Sequence, residues 1–64
     1  METKDMISQF IQKERSSTRQ LHLNGVYSLE FALGLLAGLN NLAGFYGLRS
    51  VTEDIRGDIE YLGQ

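Results

Sequence analysis

Residues 28–48 read SLEFALGLLAGLNNLAGFYGL, and the fold turns on how this stretch is read. Its 21 residues hold four of the chain's seven glycines and a single charge, Glu30. At about 100° per residue the pattern is helical rather than strand-like. Ala32, Leu35, Leu36, Leu39, Leu42, Ala43 and Tyr46 recur at i, i+3, i+4 and i+7, which makes a broad apolar face. Ser28 is suited to the N-cap, where its hydroxyl accepts from amides of the first turn that have no helical partner. Glu30 then stands where the positive end of the helix dipole favours a carboxylate. Gly47 suits the residue after the C-cap, where a left-handed backbone carries no Cβ penalty.

The other side of this helix is not that of a solvated helix. Gly34, Gly38, Asn41 and Phe45 fall on one line, with Leu33, Ala37 and Gly44 beside it. Lysine, glutamate, glutamine and arginine are absent from it. Each interior glycine costs about 0.8–1.0 kcal/mol relative to alanine, so several of them imply a compensating close approach. The line is therefore expected to be a self-association surface formed by Gly34, Gly38, Asn41 and Phe45. Asn41 would fix the register by pairing with its mate, as buried asparagines do in coiled coils. Two alternatives stay open. The glycines can break the helix near Asn40-Asn41. Gly34 to Gly38 also fits G-x-x-x-G, a motif of membrane helices, although the two asparagines sit mid-span and the mean hydropathy is −0.19.

Sixty-four residues form one domain, and so short a chain buries only about 60% of its unfolded surface. Small domains add disulfides, a metal or oligomerisation. There is no cysteine, and His22 is the only histidine, so disulfides and thiolate or poly-histidine metal sites are excluded. Oligomerisation remains, most simply as a dimer. The absence of cysteine fits a cytoplasmic setting, and METKDMISQF does not have the basic-then-apolar pattern of a signal peptide.

On either side of the stretch the pattern predicts two amphipathic helices. Residues 3–16 carry Met6, Ile7, Phe10 and Ile11 as an apolar stripe. Residues 50–62 carry Val51, Ile55, Ile59 and Leu62, and Ser50 to Glu53 matches a capping box. Ser16-Ser17-Thr18 reads as a helix stop, so 17–27 is expected to be an ordered loop. The Asn24-Gly25 turn signal makes a short hairpin the alternative. The fold expected is all-α: three helices at about 3–16, 28–47 and 50–62, the long hydrophobic central one flanked by two amphipathic ones, in an oligomeric bundle.

Candidate chemistry is sparse. Lys13, Arg15 and Arg19, with His22 nearby, form the one basic segment and a candidate surface for an anionic partner. The outer face of the last helix sets Glu53, Asp54, Asp58 and Glu60 against Arg56, for a net −3. No triad is available to a lone histidine. No glycine-rich loop lies between a strand and a helix to hold phosphate. Catalytic residues, metal and cofactor are all expected to be none.

Leu42-Ala43-Gly44-Phe45-Tyr46-Gly47-Leu48, followed by a capped helix, resembles the hinge of helix-turn-helix proteins and spans, with that helix, about 20 of the 64 residues. The resemblance implies that residues 51–62 enter the major groove. Four carboxylates on that helix depart from the pattern, because DNA phosphates repel them. The expected function is that of a non-enzymatic helical interaction protein whose partners are itself and an unidentified protein. A nucleic-acid-associated regulator, using 42–62 or 13–22, is the alternative, and a membrane-active peptide using 29–48 the second; neither nucleic acid nor membrane is the expected partner.

Overall fold

A computed structural model describes residues 3–64. Three helices cover 84% of them, with no strand among the described residues. They are α1 (Thr3–Leu23), α2 (Leu29–Phe45) and α3 (Arg49–Leu62). The three pack into an all-α domain, with α2 meeting both α1 and α3. At about 1.5 Å per residue, α1 accounts for most of the 36 Å long axis.

Each helix sends one large side chain wholly out of solvent: Ile11 from α1, Leu36 from α2 and Ile55 from α3. Ala43 and Val51 complete the buried cluster, and Ile7, Leu39, Leu42, Leu48, Ile59 and Leu62 pack around it. On α2 the buried positions Ala32, Leu36 and Ala43 are spaced i, i+4 and i+11, one face of a helix. That helix runs unbroken through Asn40 and Asn41.

Three local expectations are corrected. First, α1 extends to Leu23, so 17–23 are helical and α1 rather than α2 is the longest helix. Thr18 does not stop it. Its hydroxyl donates back to the Glu14 carbonyl at 2.8 Å, which satisfies the side chain inside the helix. Second, Asn24-Gly25 does not turn a hairpin. Gly25, at φ +79°, follows the C-cap of α1. Its amide donates to the His22 carbonyl, and that of Val26 to the Leu21 carbonyl. This is a Schellman closure, which needs the same positive φ that a hairpin turn needs. Third, the Ser50–Glu53 capping box does not form. Helix α3 begins at Arg49, with Leu48 at its N-cap and no side-chain cap bond.

The reason for the third lies in the preceding turn. Gly47 at φ +69° closes α2 with a second Schellman motif. The Gly47 amide donates to the Gly44 carbonyl and the Leu48 amide to that of Ala43, at 3.1 and 2.9 Å. Leu48 also packs on the core, so the chain re-enters a helix at once. Ser50 is then already inside the first turn. Ser28, by contrast, caps α2 and accepts from the Phe31 amide at 3.2 Å.

Met6 and Phe10 do not share the burial of Ile7 and Ile11; they are 58% and 53% exposed.

Gly47 and Gly57 separate the two effects of glycine. A side chain at Gly47 would be forced into a left-handed backbone, so Gly47→Ala is expected to destabilise by about 1–2 kcal/mol. Gly57 lies within α3, where an added Cβ meets nothing within 4 Å. Gly57→Ala should therefore stabilise by about 0.5–1 kcal/mol. Urea denaturation of both variants checks the opposite signs.

Candidate functional site

The face of α2 turned away from α3 is open. Gly34, Gly38, Asn41 and Phe45 are all exposed, Phe45 by 83%. A Cβ built on Gly34, Gly38 or Gly44 meets no atom within 4 Å. Among the described residues, no backbone makes the close approach that would offset these glycines. Apart from Glu30 and Asn41, every exposed position on α2 is apolar or glycine: Leu29, Phe31, Gly34, Leu35, Ala37, Gly38, Gly44 and Phe45.

A groove of about 440 Å³ runs beside this face, between α1 and α2. Gly34 and Gly38 leave open space in it, and Phe10, Tyr27, Leu35 and Leu39 supply apolar walls. Among the described residues, Glu14 is the only charged one lining it. Tyr27 and Phe31 meet edge to face, with ring centroids 4.8 Å apart. Phe45 leans on Tyr46 in the same way at 5.2 Å.

The basic segment takes a different course. Lys13 is exposed. Arg15 turns inward, and its guanidinium donates to Asp58 on α3 and, at 2.7 Å, to Gln12. Arg19 brings Nη1 to 3.6 Å from the same carboxylate. His22 places Nδ1 3.0 Å from the Tyr27 carbonyl. The four residues thus share a helix but not one solvated surface: two of them clasp α3.

Asp58 corrects the expected outer face of α3. It is 7% exposed and faces α1, not the outer side of α3. The signal for this was present, because Val51, Ile55, Asp58 and Leu62 follow one i, i+4, i+7, i+11 line. Without it, the outer face of α3 keeps Glu53, Asp54 and Glu60 against Arg56, a net −2.

Among the described residues, no group of three histidine, cysteine, aspartate or glutamate side chains is placed to hold a metal ion. No helix among the described residues is long and apolar enough to cross a membrane. The chain matches no protein-family model, no curated protein and no solved structure.

Two cations on one buried carboxylate make Asp58 the polar tie between α1 and α3. Breaking a buried pair costs about 3–5 kcal/mol, whereas exposed pairs are worth about 0–1 kcal/mol. Arg15 and Arg19 are 20% and 41% exposed, which puts this clasp between the two cases. Asp58→Asn is expected to cost about 1–3 kcal/mol, while Asp54→Asn should stay within about 0.5 kcal/mol. Equal urea midpoints for the two variants would contradict the clasp.

Proposed function

We propose that the chain is a non-enzymatic helical interaction protein that self-associates through α2 and, in that state, binds or inhibits a macromolecular partner. One observation carries this reading. The exposed side of α2 is apolar and glycine-rich, and its single charge, Glu30, sits at one end. A helix facing water is ordinarily polar on its outer side, and contiguous apolar surface marks an interaction site.

Two other partners suit this surface less well. A helix that lies on anionic lipid carries lysine or arginine along its polar side, and α2 has neither. Nucleic acid would need free cations, whereas Arg15 and Arg19 are directed at Asp58.

Gly38→Ala separates a covered face from a wet one. On a wet helix the added methyl stabilises by about 0.5–1 kcal/mol, through helix propensity and a less flexible unfolded chain. Against a packed helix the methyl overfills the contact and costs about 1–3 kcal/mol. Self-association predicts destabilisation, together with a lower mass by light scattering on size exclusion. A more stable variant of unchanged mass would refute it.

A further inference from the structure

The exposed face of α2 has an internal symmetry that bears on what covers it. Phe31, Gly38 and Phe45 are spaced by seven residues, so they lie within about 20° of one line on the helix. Each phenylalanine stands about 10 Å along the axis from Gly38, one on either side. Both rings are exposed, by 53% and 83%. A two-fold interface must use the same patch on both copies, so it must be self-complementary. A patch with a small centre and equal large side chains at equal distances meets that condition when the two helices run in opposite directions.

We infer that α2 docks antiparallel on the α2 of a second copy, with the two-fold axis at Gly38, so that Phe31 of each copy packs beside the partner's Phe45. The inference rests on the self-association proposed above and adds the orientation and the contacts. Gly38 lies where the two backbones come closest, and its missing Cβ leaves open space there. The slight angular offset of the two phenylalanines, to opposite sides of the line, sets the rings side by side rather than end on.

Charge favours this direction over the parallel one. Glu30 is the only charged residue of α2. A parallel pair would place it against the partner's Glu30, whereas the antiparallel pair carries it toward the far end of the partner's α2, where the partner's Arg49 opens the next helix. Opposed helix dipoles act in the same direction. Area supports the same occupant. At about 200 Å² per phenylalanine, the exposed parts of Phe10, Phe31 and Phe45 amount to roughly 380 Å². That is close to half of the ~800 Å² that each partner of a stable complex buries. Asn41 stands about 4.5 Å from the axis, so it faces the partner's Leu35 level and does not pair with the partner's Asn41.

The absence of cysteine makes the test direct. Phe31→Cys and Phe45→Cys are prepared as separate variants, mixed in equal amounts at millimolar concentration and oxidised with copper phenanthroline. A mixed dimer keeps one Phe31–Phe45 contact intact. The expected result is disulfide-linked dimer several-fold in excess in the mixture over either variant alone. Cross-linking of each variant to itself would show a parallel pair and overturn the inference while leaving self-association standing. So would a dimeric mass with no cross-link in any sample. A monomeric mass at all concentrations would overturn both. The unaltered chain supplies a second reading that does not depend on the variants folding. In a mixture of isotope-labelled and unlabelled copies, nuclear Overhauser contacts between the Phe31 ring and the partner's Phe45 ring support the register, and contacts between Phe31 and the partner's Phe31 refute it.

Discussion

The fold depends on one small contact, where Ile11, Leu36 and Ile55 meet and exclude water. Each helix contributes one of the three, so truncating any one weakens the hold of its helix on the other two. The margin is narrow. A chain of this length has a total stability of about 3–10 kcal/mol, and truncating one buried leucine or isoleucine to alanine costs about 2–5 kcal/mol. Among the described residues no second apolar layer backs this one up. The remaining contacts to it come from the buried but small Ala43 and Val51 and from half-buried side chains such as Ile7, Leu39 and Ile59.

With so little core, the connections and the polar clasp carry weight out of proportion to their size. Both turns end a helix the same way, with a glycine at positive φ and a Schellman pair of hydrogen bonds. Each turn satisfies helix-end carbonyls that would otherwise lack a partner and reverses the chain within a few residues. Leu48 joins the two roles, since its amide closes α2 while its side chain packs on the core. The Asp58 clasp then holds α3 to α1 beside the apolar cluster. It lies on the same line of α3 as Val51, Ile55 and Leu62, so one ionic contact is set within an otherwise apolar face.

The helical class and the inward face of α2 were legible because periodicity over many residues averages out local ambiguity. Single-residue signals did not have that protection. Asn24-Gly25 announces positive φ, but positive φ serves a hairpin and a helix C-terminus equally, and only the helix that continues through Thr18 decides between them. Ser16-Ser17-Thr18 read as a stop because serine and threonine compete for backbone hydrogen bonds; in α1 that competition is settled by the Glu14 carbonyl. The charge of Asp58 points to water, although its place on the Val51–Ile55 line points inward. Arg15 and Arg19 were grouped as a basic surface because they are close in sequence, which says nothing of what an adjacent helix offers them. The glycine line of α2 is visible from its lack of charged residues, and the structure adds that no described residue covers its glycines.

The thin core and the uncovered helix have a common origin. Three short helices around one contact can bury one face of each, and α2 is apolar on more than one face. A monomer leaves Phe31 and Phe45 in water and bears the helix-propensity cost of Gly34 and Gly38 with nothing gained in return. Enlarging the core within the chain would need more residues, whereas a second copy supplies another helix at no cost in length. On this reasoning the features that look unfavourable in one copy are the ones a pair would use. The glycines permit close approach, the phenylalanines fill the space where the two helices diverge, and the near absence of charge on α2 removes the repulsion that would keep two copies apart.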